Sequence, residues 1–264
     1  MPPIHQAAAG GFTKGARTYV SGRPDYPQAL VVWLRETLGM AAGMKVVDLG
    51  AGTGKFIPVL QTLDAEVTAV EPVAAMRAQC MALYPQVRVL DGMATAIPLP
   101  DAAADVVVCA QSFHWFARSE ALMEIHRVLK TGGLLVLVWN GRDETVPWVA
   151  ALTKIVNRYE TGVPRYASGE WRTVFPAPGF DRVDEVHYSN AHRGKAEQVI
   201  MRRVLSTSFI ADLPPQEQDR VTREVRALIE ATPELAGRDE VSFPYTTSAF
   251  AWRKTGETVS TVTG

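Results

Sequence analysis

This sequence has no excess of charge of one sign. Its 264 residues carry 27 Lys and Arg against 28 Asp and Glu, a formal net charge of −1, with no long run of either sign. Such a balance gives no electrostatic footprint for nucleic acid or for an anionic membrane, so neither is expected as a partner. Cysteine is scarce as well. Cys80 and Cys109 form no Cys-x-x-Cys pair and no cluster with histidine at metal-ligand spacing, so no metal centre is expected. Cys109 sits in the apolar run 105–110 and reads as a buried strand residue rather than a reactive thiol. No uninterrupted apolar stretch reaches membrane-spanning length. Residues 1–6 do not pair a basic region with an apolar one, as a secretory leader would. The setting expected from these absences is a reducing cytoplasm. Internal repeats and low-complexity blocks are also missing.

Hydrophobic residues make up 47% of the chain and charged residues 21%, enough to bury a sizeable core. The length suits one α/β domain with an added subdomain better than two independent domains. Residues 1–27 are rich in Gly, Pro and polar side chains and end in Arg23-Pro-Asp-Tyr-Pro27, which predicts an irregular arm. Leu30, Val31, Leu34 and Leu38 then recur at helical spacing. From there strands and helices alternate. Strands are predicted at 45–49, 66–71, 87–90, 105–110 and 134–139. Helices are predicted at about 54–63, 73–83 and 119–129, the last stopping at Lys130-Thr-Gly-Gly133. Strands of this apolar kind, separated by helices, form a parallel sheet covered on both faces. Beyond residue 142 the pattern changes to a helix at about 146–160, a polar strand at 182–189, helices over 196–231 split by Asp212-Leu-Pro-Pro215, and a last strand at 241–252. The expected fold is α/β: a Rossmann-like, seven-stranded, mostly parallel sheet with helices on both faces. A helical cap would come from the arm and the C-terminal insertion. The expected division is an arm and helix at 1–40 closing over the site, a cofactor-binding core at 41–142, and a remainder at 143–264 carrying the insertion at about 191–239.

The densest signal is Val46-Val-Asp48-Leu-Gly50-Ala-Gly52-Thr-Gly54-Lys-Phe56, at the end of the first strand. Glycines let the chain turn tightly and let a ligand approach the backbone. Free N–H groups at the start of the following helix would suit an anionic or electron-rich ligand group. Glu71 ends the next strand, 21 residues after Gly50, where a carboxylate can accept hydrogen bonds from both hydroxyls of a ribose. A plain tight turn and an exposed strand-end acid are the bland alternatives. A dinucleotide site needs Gly-x-Gly-x-x-Gly, but this chain has Gly-x-Gly-x-Gly with Lys55 where the third glycine would stand. A P-loop is excluded because Gly54-Lys55 is followed by Phe56.

Residues 46–56, Glu71, the stretch Gly92-Met-Ala-Thr-Ala-Ile-Pro-Leu-Pro-Asp101 and the run Arg127-Val-Leu-Lys-Thr-Gly-Gly133 resemble the nucleoside-binding motifs of class I methyltransferases. Ala110-Gln-Ser-Phe-His-Trp-Phe116 and the Arg23–Pro27 arm resemble, more narrowly, the methyltransferase type 11 enzymes near their trans-aconitate methyltransferase-like branch. The resemblance covers roughly residues 15–140. It implies S-adenosyl-L-methionine as cofactor and S-adenosyl-L-homocysteine as product. It further implies that Gly50, Ala51, Gly52 and Thr53 line the methionine part, that Glu71 holds the ribose, and that Pro72 and Met76 flank the nucleoside. Met93 and Ala94 would border the adenine and Gln111 would close the site. Tyr19 and Arg23 in the arm could close over the cofactor, with Arg23 facing its carboxylate, the alternative being a solvent-exposed Arg23. Many relatives carry an Asp where this chain has Met93, so adenine recognition would rest more on backbone groups and apolar contact.

Methyl transfer from a sulfonium is an in-line displacement in which orientation supplies much of the rate. A general base helps where the nucleophile is a hydroxyl or an ammonium. His114, just after the fourth strand, is the candidate base or substrate contact, with a structural role, bonding a backbone group beside the cofactor, as the alternative. Trp115, Phe116, Trp139 and Trp171 could wall an apolar substrate pocket, or pack as core. The expected activity is methylation of O, N or C of a small molecule by a monomer or homodimer. The alternatives are a nucleoside-binding protein without methyl transfer, a macromolecule methyltransferase, and a dehydrogenase.

Overall fold

The computed structural model describes residues 22–160, 162 and 164–256. A helix α1 (Gln28–Val32) continues through a π-helical turn (Trp33–Thr37). There follow β1 (Lys45–Leu49), α2 (Ile57–Thr62), β2 (Glu66–Val70), α3 (Ala74–Leu83), β3 (Arg88–Leu90) and β4 (Ala104–Ala110). A 3-10 turn (Phe113–Trp115) leads to α4 (Ser119–Val128) and β5 (Leu129–Arg142). The rest comprises α5 (Pro147–Asn157), β6 (Phe180–Gly194), the short helices α6 (Arg202–Leu205) and α7 (Ser208–Ala211), α8 (Pro215–Ala231) and β7 (Val241–Lys254). The seven strands form one mixed, mostly parallel sheet in the order β3-β2-β1-β4-β5-β7-β6.

Parallel pairing joins β1 to β2 and β4, β2 to β3, and β4 to β5. The alternation of side chains along these strands sorts the core into two faces. Val46, Val106, Val108, Val136 and Val138 pack with Leu30, Trp33 and Leu34 of the first helical segment and with Leu60 of α2. Val47, Leu49, Val107, Cys109, Leu135 and Leu137 pack with Ala121, Leu122, Ile125 and Val128 of α4. Burial on both faces is why these strands read as continuous apolar runs rather than alternating ones.

Two elements differ from the sequence expectation. β5 does not wait for the glycines. Leu129 already pairs with Ala104, and the register then slips so that Leu134 pairs with Val106. The intervening residues form a bulge that only glycine fits: Gly132 has φ +77, and a Cβ on Gly133 would stand 2.9 Å from the carbonyl oxygens of Asp105 and Lys130. The helix expected from about Gly54 begins three residues later, because residues 52–56 are consumed in turns.

The chain divides into two compact units. One comprises residues 26–139, 164–188 and 247–256 of those described, and holds the core above. The other comprises residues 22–25, 140–160, 162 and 189–246 of those described, so β5, β6 and β7 contribute residues to both. In the second unit Trp148 of α5 packs on Phe243 at 5.2 Å, and Phe243 on Tyr245 at 4.7 Å. Arg158 pairs with Glu224, joining α5 to α8. The Asp25 carbonyl there accepts from Asn190 Nδ2 at 2.7 Å and from Asn140 Nδ2 at 3.4 Å. Among the described residues, no helix is long and apolar enough to cross a membrane.

Candidate functional site

Strand order reverses direction at β1, which has β2 on one side and β4 on the other. Open α/β sheets bind ligands outside the carboxyl ends of the strands at such a switch point. The glycine-rich segment occupies this place. Gly50, Gly52 and Gly54 have φ +70, +58 and +84, values that side-chain-bearing residues rarely adopt. Two of the three serve packing. A Cβ on Gly50 would meet Ser112 Cβ at 2.7 Å, and one on Gly54 would meet Ile57 Cδ1 and the Tyr84 ring at 2.7 Å. Gly52 is different, since a Cβ there would meet nothing within 4 Å among the described residues.

Four N–H groups of the loop, those of residues 50, 51, 52 and 54, are bonded within the protein. Gly50 N–H and Ala51 N–H both donate to the Val70 carbonyl, at 2.8 and 3.2 Å. Gly54 N–H donates to the Ala51 carbonyl at 2.9 Å. Gly52 N–H donates to Glu71 Oε2 at 2.9 Å, while Glu71 Oε1 accepts from Val73 N–H at 2.8 Å. These four donors are taken by the protein itself and are not offered to an anion.

The site also holds a pair of buried carboxyls. Glu71 is 6% exposed, and burial pushes its carboxyl above the usual range, against the two backbone N–H bonds that pull it down. Asp48 is 1% exposed and neither carboxylate oxygen has a hydrogen-bond partner. Burial, with the neighbouring Glu71 charge, pushes Asp48 up to about 7. An acid inside a strand buried on both faces needs a reason, because an unpaired buried charge is costly. The acid within the otherwise apolar Val46–Leu49 was a visible signal, and the sequence reasoning missed it.

The remaining elements converge on the same edge. Arg77 donates to the Glu71 and Pro72 carbonyls at 3.0 and 2.7 Å and pairs with Asp91 at 3.0 Å, which fixes the chain just before Met93. Met93 is half-buried, Ala94 is buried, and Met93 bridges to Ala96. Ser112 Oγ donates to the Leu49 carbonyl at 2.7 Å, tying the β4 exit to the β1 exit. Gln111 lies at φ +62, a strained value for its residue type, while its N–H donates to Val138 at 2.8 Å. Thus Gly50, Ala51, Gly52, Glu71, Pro72, Met93, Ala94 and Gln111 all belong to one edge of one unit. Thr53 and Met76 are each 2% exposed and present little side-chain surface there. Arg23 belongs to the second unit, and Tyr19 lies outside the described residues. His114 is half-buried on the turn after β4, where Trp139 Nε1 donates to its Nδ1 at 3.1 Å. Trp139 and Trp171 are core, at 0% and 2% exposed, whereas Trp115 and Phe116 keep partial exposure.

Comparison with known proteins agrees with this geometry. The methyltransferase domain family matches residues 47–137, from β1 through most of β5. A methyltransferase-like protein of Schizosaccharomyces pombe is 36% identical over 244 residues, covering 92% of this chain and 95% of its own. A methyltransferase of Mycobacterium tuberculosis is 36% identical over 238 residues, covering 89% and 92%. Among solved structures, one named as a type II methyltransferase of Anaeromyxobacter dehalogenans superposes with a TM-score of 0.64 at 23% identity, covering 88% of this chain and 97% of its own. The YcgJ protein of Bacillus subtilis does so with a TM-score of 0.53 at 16% identity, covering 87% and 99%. The two structures show the fold; the two sequence relatives, alike over nearly their whole length, show the family. This chain belongs to the class I methyltransferases, the enzymes of S-adenosylmethionine-dependent methyl transfer.

Proposed function

We propose that the protein transfers the methyl group of S-adenosyl-L-methionine to an O, N or C atom of a small-molecule acceptor, with S-adenosyl-L-homocysteine as the product. One observation carries the reading: two buried carboxyls, Asp48 and Glu71, stand at a glycine loop in which the N–H groups of Gly50, Ala51, Gly52 and Gly54 are bonded within the protein. A pyrophosphate would meet repulsion there, while a ligand bearing an ammonium and a sulfonium would meet its counter-charge. The residues therefore fit this cofactor. Asp48, with both oxygens unbonded, would balance the ammonium group. Glu71 uses one lone pair of each oxygen on the backbone, which leaves one on each for the ribose hydroxyls. The bare face of Gly52 gives the ligand close approach to the backbone. Met93 and Ala94 would border the base by apolar and backbone contact. When bound, the cofactor supplies an activated methyl carbon and a neutral thioether leaving group.

A small acceptor is supported by the balanced charge, which offers no footprint for a polyanion, and by the type 11, trans-aconitate-like character of residues 110–116. Cys80 and Cys109, both unpaired and buried, support a reducing, cytoplasmic setting. The test is transfer from methyl-labelled cofactor to two separate fractions, a deproteinised metabolite extract and a protein–RNA fraction. Label in the metabolites is the expected result. Label in macromolecules alone would overturn the acceptor class, and label in neither would overturn the activity.

A further inference from the structure

Trp139 has no polar group but its indole N–H, and indole can only donate. The ring is 0% exposed. It stacks on Tyr166 at 4.8 Å and 20°, lies 4.5 Å from Trp171, and meets Phe250 edge-on at 5.9 Å. Held by three aromatic neighbours, the indole has no room to re-aim its N–H. That donor points at His114 Nδ1 at 3.1 Å. A hydrogen bond in this direction requires a lone pair on Nδ1, so the single proton of the neutral ring sits on Nε2. A base acting through Nε2 needs the other tautomer. It would turn an Nδ1–H against the Trp139 N–H and strand a buried donor. A charged imidazolium does the same.

His114 also stands in the right place to touch an acceptor. It lies on the turn whose Ser112 donates to the Leu49 carbonyl and whose Ser112 Cβ and Phe116 ring would lie 2.7 and 3.5 Å from a Cβ on Gly50. We infer that His114 serves the transfer as a hydrogen-bond donor through Nε2–H and not as a general base, with Trp139 as the positioning residue that sets its tautomer. The acceptor then enters as an oxyanion, one lone pair of which accepts from Nε2–H while another attacks carbon, and not as a neutral alcohol awaiting deprotonation. In the step, the acceptor lone pair forms the new bond to carbon and the carbon–sulfur pair leaves with sulfur. No proton passes to the ring. This inference rests on the methyl-transfer reading only for the identity of the step; the tautomer stands or falls independently.

The deciding experiment is a long-range proton–nitrogen correlation on protein labelled with 15N-histidine and saturated with S-adenosyl-L-homocysteine at neutral pH, with His114 assigned by the signals lost in His114→Gln. A pyrrole-type Nε2 and a pyridine-type Nδ1 are expected, and Trp139→Phe should give a mixture of tautomers. An Nδ1–H tautomer or a charged ring in the parent protein would overturn the inference. Label transfer to the metabolite extract gives a second readout, because Gln keeps an N–H near the Nε2 position and Ala does not. His114→Gln should retain activity within about tenfold of the parent while His114→Ala loses a hundredfold. Equal loss in both variants would restore the base, and equal retention would remove His114 from the transfer; either result overturns the inference. Absence of label transfer by the parent protein counts against the proposed activity, and the tautomer measurement still decides the present point.

Discussion

Glu71 and Gly52 are joined by a 2.9 Å hydrogen bond from the glycine N–H to Oε2, across 19 residues of sequence. That bond links the turn after β1 to the end of β2 and takes a donor that a phosphate site would leave free. Backbone geometry and ligand chemistry are set by the same contact. The acid is held still by the loop, and the Gly52 N–H is kept from a ligand by the acid.

The three glycines of the motif should therefore separate in mutagenesis. Gly52→Ala carries the cost of a left-handed conformation, about 1–2 kcal/mol, because nothing among the described residues stands within 4 Å of the new Cβ. It should fold, melt a few degrees lower and lose affinity for S-adenosyl-L-homocysteine. Gly54→Ala adds a clash at 2.7 Å with Ile57 and Tyr84 and should lose far more stability. Thermal melts with and without the nucleoside distinguish the two. A Gly52→Ala protein that binds as well as the parent would contradict the assignment of the open face.

Much of this was legible in the sequence because it is written locally. The continuous apolar runs 45–49 and 105–110 announced strands buried on both faces, and they are. The Gly-x-Gly-x-Gly turn and Glu71 were found from spacing alone. Contacts set by tertiary packing were not legible. That the Gly50 and Ala51 N–H groups are spent depends on the Val70 carbonyl lying beside them, which no sequence spacing states. The early start of β5 depends on a bulge that lets Leu129 reach Ala104 before the register slips. The orientation of His114 depends on Trp139, 25 residues away on the neighbouring strand.

Asp48 gives a pH dependence with a definite sign. Its carboxyl ionises near the usual 3.8 in the unfolded chain and is pushed up to about 7 in the fold. Between those values the folded state binds the extra proton, so stability falls as pH rises from about 4 to about 7. The full effect is at most about 4 kcal/mol. Asp48→Asn should flatten this part of the melting-temperature profile of the cofactor-free protein and raise its stability at pH 8. It should also weaken binding of the nucleoside, whose ammonium loses its counter-charge. Melts across pH 4–8 check both signs, and a profile unchanged by Asp48→Asn would remove the buried charge from the account.

Arg127 explains the run before β5 in physical terms. Its guanidinium meets both Glu124 oxygens at 2.8 Å, Asp101 at 2.7 Å and the carbonyls of Leu99 and Ile97 at 2.9 and 3.1 Å. It also holds the Glu124 carboxyl below the usual range. Lysine cannot reproduce this fork. Arg127→Lys should cost roughly 2–4 kcal/mol, about 5–10 °C in melting temperature for a chain of this size. It should also loosen the 93–101 segment, seen as faster amide exchange there than in β1.

Calorimetry bears most directly on the central claim, that paired buried acids beside the glycine turn select a sulfur nucleoside bearing an ammonium over a dinucleotide. S-adenosyl-L-homocysteine titrated into the parent protein should give a one-site isotherm, Glu71→Gln should weaken it at least tenfold, and NADH should give no heat. Silence from the sulfur nucleoside together with a Glu71-dependent isotherm from NADH would contradict the claim.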